Sequence, residues 1–173
     1  MPTASAFIAA SVDGFIARAN GALDWLPGDD VEEHGYDEFM ATIDAYVMGR
    51  GTFDVVLGFG GWPFAKTMVF VATNRPLPEG LPADARIQAV SGSPAEIVAA
   101  AADRGFERLY VDGGKIIQQF LRAGLIQRMI ITRIPVLLGS GIPLFGELPS
   151  DIRLRHVRTR SFPSGLVQSE YSI

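Results

Sequence analysis

Runs and alternations of apolar residues divide this chain into elements before any single residue suggests chemistry. Thr3 to Ala10 is a stretch of small and apolar residues suited to a buried central strand; Ser11-Val12-Asp13-Gly14 breaks it, and Phe15 to Ala17 resumes as a short strand. From Arg18 to Asp30 the pattern gives way to Asn20-Gly21, Asp24-Trp25-Leu26-Pro27 and Gly28-Asp29-Asp30, which predicts a long loop. Long loops in compact domains commonly cover or line a binding site, so Trp25 either lies over a site or pins the loop to the core. Val31 to Ile43 places Tyr36, Phe39, Met40 and Ile43 at helical spacing, with Glu32, Glu33, Asp37 and Glu38 nearer the start, where acidic residues complement the helix dipole.

Tyr46 to Met48 reads as a buried strand end that stops in the turn Gly49-Arg50-Gly51-Thr52, with Thr52 placed to cap a short helix over Phe53 to Leu57. Thr67 to Thr73 alternates as a strand closed by Asn74-Arg75-Pro76, and a proline-rich loop leads to a short strand from Arg86 to Val90. Ser93-Pro94-Ala95-Glu96 has the form of a capping box with proline at the first helical position, predicting a helix to Arg104 that stops at Gly105. Arg108 to Val111 is a buried strand, after which Asp112-Gly113-Gly114 opens a helix from Lys115 to Ala123, closed by Gly124. A third apolar run, Met129 to Leu138, contains Pro135 and ends in Gly139-Ser140-Gly141, with Ile142-Pro143-Leu144-Phe145 beyond. Leu154 to Phe162 and Leu166 to Ser172 face each other across Pro163-Ser164-Gly165 as a hairpin. Strands separated by helices and closed by a hairpin predict an α/β fold of three layers: a mostly parallel central sheet, helices on both faces, and an antiparallel edge. Ligands of such sheets bind beyond the carboxyl ends of the strands.

Composition narrows the function classes. A length of 173 residues, 48% hydrophobic and 20% charged, suits one soluble globular domain spanning residues 1–173. The net charge of -4, with lysine only at Lys66 and Lys115, argues against a nucleic-acid surface. The lack of cysteine excludes disulfides and thiolate chemistry, and His34 and His156 are too far apart in sequence to suggest a metal centre. No stretch approaches the roughly 18 apolar residues of a membrane helix, and the start Met1-Pro2-Thr3 lacks a signal-peptide pattern, so a cytoplasmic location is expected.

Two glycine turns carry the candidate chemistry. Gly49-Arg50-Gly51-Thr52 and Gly113-Gly114-Lys115 each join a buried strand to a helix, so each can offer free N–H groups at a helix start to an anion. Neither matches the dinucleotide fingerprint Gly-x-Gly-x-x-Gly, and either alone is more often a tight turn. Both opening at one sheet edge, with Arg50 and Arg75 nearby, would suit a dinucleotide with several phosphates. Arg75 by itself would read as solvated surface, except that it directly follows a buried strand.

The ordered set Ser11-Val12-Asp13-Gly14-Phe15-Ile16-Ala17, Val47-Met48-Gly49-Arg50-Gly51-Thr52-Phe53, Thr73-Asn74-Arg75-Pro76, Val111-Asp112-Gly113-Gly114 and Pro135 to Phe145 resembles the dihydrofolate reductase-like family. Within it, the chain is most similar to the reductase domain of the bifunctional riboflavin biosynthesis enzyme. The resemblance implies NADPH bound across the sheet edge, with Gly49, Arg50, Gly51 and Thr52 near the phosphates and Gly113, Gly114 and Lys115 at the pyrophosphate. It also implies that Arg75, with Thr73 and Asn74, reads the 2′-phosphate, for which an arginine fork is well matched. The activity implied is hydride transfer to a small heterocycle: a pyrimidine of the riboflavin pathway, a pterin or a related ring. Asp13, Glu33 and Asp37 are the candidate catalytic carboxylates, although Asp13 can equally hold its turn.

Trp25 and Trp62 are candidate substrate contacts, and the loop around Trp25 resembles the flexible active-site loop of dihydrofolate reductases. The riboflavin-pathway reductases carry an Asn-Pro stretch after the Gly-Arg turn that holds a ribose phosphate. This chain has Gly58-Phe59-Gly60-Gly61-Trp62-Pro63-Phe64 there, whose Trp62 and Phe64 either line a pocket for a flatter substrate without phosphate or pack in the core, the commoner fate of such residues. The alternatives are an NADPH-binding module with little turnover and a mainly structural homodimer; pairing as a homodimer is expected from the related domains.

Overall fold

The computed structural model describes residues 1–28 and 32–173. Strand β1 (Thr3–Ser11) lies near the middle of an eight-stranded sheet and is followed by the short β2 (Phe15–Ala17). Then come α1 (Tyr36–Met40), β3 (Ala45–Gly49), α2 (Arg50–Leu57), β4 (Met68–Ala72) and β5 (Ile87–Val90). The chain continues through α3 (Pro94–Ala102), β6 (Arg108–Asp112), α4 (Gly114–Arg122) and β7 (Arg128–Ile134). It ends with β8 (Ile142–Pro143), β9 (Arg155–Ser161) and β10 (Val167–Ser172).

The sheet order is β5-β4-β3-β6-β1-β7-β10-β9. Pairings from β5 across to β7 are parallel, and β10 then joins β7 and β9 antiparallel. This is the mostly parallel α/β sheet with an antiparallel edge that the pattern predicts. Its parallel strands are nearly continuous in apolar residues because both faces are covered. One face packs Val47, Phe70, Val111 and Met129 against Ile97, Ala101, Ile117 and Phe120 of α3 and α4. The other carries Phe7, Tyr46, Val69 and Tyr110 beneath Phe39 of α1 and Phe53 of α2.

Local signals are realised where their bonds are local. Ser93 accepts from the Glu96 backbone and Glu96 returns a bond to the Ser93 N–H, a complete capping box. Ser93→Ala should lower stability by about 1 kcal/mol, measurable as a shift in the denaturant midpoint with unchanged slope. The helix ends at Ala102, two residues short of expectation, and Gly105 follows at φ +79°.

Three expectations are corrected, and one short strand is added. The helix drawn over Val31 to Ile43 is α1 alone among the described residues, because Gly35 adopts φ +88° and the segment before it is bound elsewhere. Glu32 Oε1 accepts from the Ser164 N–H, and the His34 carbonyl accepts from Arg160 and Gln168. These bonds tie the approach to α1 onto the C-terminal hairpin; Val31, Asp29 and Asp30 lie outside the described residues. The helix expected from Phe53 begins at Arg50 with Gly49 as N-cap, so Thr52 sits inside its first turn and does not cap it. The run Met129 to Leu138 is strand only to Ile134, since Pro135 cannot donate to the ladder. Ile142–Pro143, unassigned from the sequence, pairs antiparallel with β2.

Candidate functional site

Beyond the carboxyl ends of β5, β4, β3, β6 and β1 lies a cleft of about 1030 Å³. Three helices start along this edge, and their caps differ. In α3 the first turn is closed by Ser93 and Glu96, whereas α2 and α4 have neither a side-chain cap nor an acidic residue in the first turn. The uncapped N–H groups of α2 and α4, with the positive end of each helix dipole, form two anion-attracting positions in one cleft. The turns that create them touch. Gly113 has φ +94°, and a Cβ placed there would fall on Thr52 Oγ1. A Cβ at Gly51 would meet nothing within 4 Å, so that turn is open to a ligand.

All ten residues named for a cofactor line this cleft: Gly49, Arg50, Gly51, Thr52, Thr73, Asn74, Arg75, Gly113, Gly114 and Lys115. Arg50 has a more constrained place than a free fork. Its Nε donates to Asp54 at 2.7 Å and its Nη1 to the Pro76 carbonyl at 2.8 Å, so it braces the loop that carries Arg75. That loop is further turned by the Arg75 N–H, which donates to Thr73 Oγ1. Arg75 itself is exposed at the cleft rim. Two uncapped helix starts, three lining cations (Arg50, Arg75 and Lys115) and the cavity size fit a dinucleotide.

The three carboxylates expected to be catalytic are not brought together, and none lines the cleft. Asp13 accepts from Ser11 Oγ at 2.6 Å and from the backbone N–H groups of Gly139 and Leu138. Those bonds hold it below the usual carboxylate range, the Ser11 hydroxyl contributing most, and it fastens two loops together. Glu33 accepts from the Gly35 N–H at 2.6 Å and shapes the turn before α1. Asp37 is exposed in the first turn of α1, where it faces the helix dipole.

Neither expected tryptophan lines the cleft either. Trp62 packs edge-on against Phe64 and Phe53, so it backs the wall while Phe64 forms its surface. The loop before α1 contributes Asn20, Leu23 and Leu26 rather than Trp25.

Among the described residues, the carboxylate that lines the cleft is Asp112, the last residue of β6. Strand alternation puts it on the face that also carries Tyr110, and it pairs in register beside Met48. Protein packs around its carboxyl group although the residue reaches the cleft. Burial pushes its pKa up to about 6, and the one counteracting bond is from the Gly113 N–H at 2.8 Å.

Around it stand Tyr36, Tyr46 and Tyr110. The Tyr36 and Tyr46 hydroxyls are 2.9 Å apart, and the Tyr110 hydroxyl donates to the Phe7 carbonyl at 2.6 Å. Burial raises the pKa of all three, so they remain neutral hydroxyls. Sequence reasoning passed over these residues, treating Asp112 only as the lead-in to a glycine turn. The available signal was a carboxylate closing an otherwise buried strand, two positions after a tyrosine. Such a placement is costly unless the group is used or paired.

This sheet, its terminal hairpin and the cleft at its carboxyl edge define a dihydrofolate reductase-like α/β protein. The chain belongs to the RibD C-terminal domain family, whose match covers residues 64–168. It is 39% identical to a putative riboflavin biosynthesis protein from Shewanella sp. PV-4, with a TM-score of 0.89 over 98% of both chains. The fold is shared at lower identity. A bifunctional diaminohydroxyphosphoribosylaminopyrimidine deaminase and 5-amino-6-(5-phosphoribosylamino)uracil reductase from Thermotoga maritima aligns at 16% identity and TM-score 0.75, over 99% of this chain and 56% of that one. Dihydrofolate reductase from Enterococcus faecalis aligns at 20% identity and TM-score 0.67, over 98% and 95%. Among the described residues no helix is long and apolar enough to cross a membrane.

Proposed function

We propose that the protein is an NADPH-dependent reductase that delivers a hydride to a small heterocycle, with Asp112 handling the accompanying proton. The observation that carries this reading is the coexistence, in one cleft, of two uncapped helix starts and a carboxyl group with a raised pKa. NADPH supplies the hydride when bound; the protein supplies position, a site of low water content and the proton. Gly49, Gly51 and Thr52, with Gly114, would donate their N–H groups to the phosphates, while Gly113, whose N–H is held by Asp112, lets the second turn pass close to Thr52. Arg50 holds the β4 loop so that Arg75 meets the 2′-phosphate. A carboxyl that stays protonated to about pH 6 can donate to a ring nitrogen or oxygen and leave an adjacent carbon electrophilic. The reductases named among the structural relatives are consistent with this chemistry.

Nucleotide choice tests the assignment of Arg75. Arg75→Ala should weaken NADPH binding about tenfold, equivalent to roughly 1.4 kcal/mol for a charge-assisted contact at an exposed rim, while leaving NADH binding unchanged. Fluorescence titration with both nucleotides would measure it, and an equal loss for both would remove Arg75 from 2′-phosphate recognition.

A further inference from the structure

The lining of the cleft differs from one part to another. Its cations, Arg50, Arg75 and Lys115, all sit in the turns that follow β3, β4 and β6, and Arg50 already has donors committed to Asp54 and Pro76. The floor along α1 is made of Phe7, Tyr36, Tyr46, Phe64 and Tyr110, an aromatic lining whose rings lie tilted or edge-on to one another. The Tyr46 ring centroid is 4.3 Å from that of Phe64 and 4.8 Å from that of Tyr110, and the Phe7 centroid is 5.5 Å from that of Tyr36.

The segments bordering this floor, residues 16–26, α1 and residues 59–64, contribute no cation to the lining. At the lip, Arg18 is held by both oxygens of Asp24 at 2.6 and 3.0 Å, and Lys66 lies outside the lining. Beside Tyr36, α1 adds Asp37 and Glu38, both exposed. A phosphate dianion brought to this floor would lose water, gain no counter-charge and meet Asp112. A neutral planar ring would lie against this apolar lining and present a polar edge to Asp112 and the tyrosine hydroxyls.

From this arrangement we propose that the substrate is a neutral planar heterocycle without a phosphate group, bound on the Phe7–Tyr36–Tyr46–Phe64–Tyr110 floor with its polar edge toward Asp112. This rests on the reductase reading above, since it takes the cationic turns to be filled by the cofactor. It separates this chain from relatives whose named substrate is a phosphoribosylamino compound.

The test is calorimetric titration of the NADP⁺-loaded protein with 5-amino-6-ribosylaminouracil and with its 5-phosphate, at equal ionic strength. The unphosphorylated compound should bind at least tenfold more tightly. Equal or tighter binding of the phosphate ester would overturn the proposal. So would binding of neither compound while NADP⁺ is held, and that outcome leaves the reductase reading standing. If the protein fails to take up NADP⁺ at the loading step, the reductase reading fails with it.

Discussion

Asp112→Asn should reduce turnover about 100-fold or more while leaving the affinity for NADPH within a factor of two, because it removes a proton donor and no cofactor contact. The pH profile provides the sharper measurement. If protonated Asp112 is the active form, kcat/KM should be level below about pH 6 and fall roughly tenfold per pH unit above it. The Asn variant should lose that break along with most of the rate. Retention of both rate and break in Asp112→Asn would remove this carboxyl from the reaction. Unchanged NADPH binding with no turnover of any heterocycle by the native protein would instead favour a cofactor-binding module.

Stability gives the same group an independent signature. Its folded pKa is raised above its unfolded value of about 3.8. Its contribution is therefore fully present below that value and lost as pH rises through about 6. Above pH 6 the native protein carries a poorly solvated charge that the Asn variant lacks. The variant should consequently be more stable there by about 1–3 kcal/mol, with the difference shrinking toward pH 4. Denaturant midpoints of the two proteins at pH 4 and pH 8 would show it.

Gly113→Ala should have the largest effect on cofactor binding of any single methyl group added to the cleft. Its backbone, φ +94° and ψ 135°, lies in a region that strains an L residue by about 1–3 kcal/mol. The added Cβ also falls on Thr52 Oγ1, which belongs to the other anion-attracting turn. Relief requires the two turns to move apart, so NADPH affinity should drop at least about tenfold and thermal stability should fall with it. Gly51→Ala is the comparison, because a Cβ there meets nothing within 4 Å. It should leave stability within about 0.5 kcal/mol and affect affinity less. Equal losses in both variants would show that crowding between the turns is not the cause.

How much of this was readable beforehand follows from where the stabilising contacts lie along the chain. The α3 capping box was legible because its bonds join Ser93 to Glu96, three residues on. That the ten residues named for a cofactor would line one cleft was legible because glycine turns after apolar strands are local features and α/β sheets place such turns at one edge. The extent of α1 was not, because its approach is held by residues of the hairpin more than 120 positions away. Asp13 and Glu33 have the residue type of catalytic acids, and only their partners show that they hold turns: the backbone N–H groups of Leu138 and Gly139 in a distant loop for Asp13, and that of Gly35 two residues on for Glu33.

The sequence by itself determined the α/β class, the order of most elements, the two glycine turns and, through ordered motifs, the family. All of these depend on periodicity and on interactions between near neighbours. Tertiary structure alone decided that β6 sits between β1 and β3, and this placement brought the Asp112 carboxyl into the cleft lining. Alternation puts Tyr110 and Asp112 on one face of β6, but it does not say which strands lie alongside or which helix covers that face. Those choices come from pairing between strands distant in sequence. They bring Phe7, Tyr46 and Tyr110 together under α1 and bury the Asp112 carboxyl enough to raise its pKa.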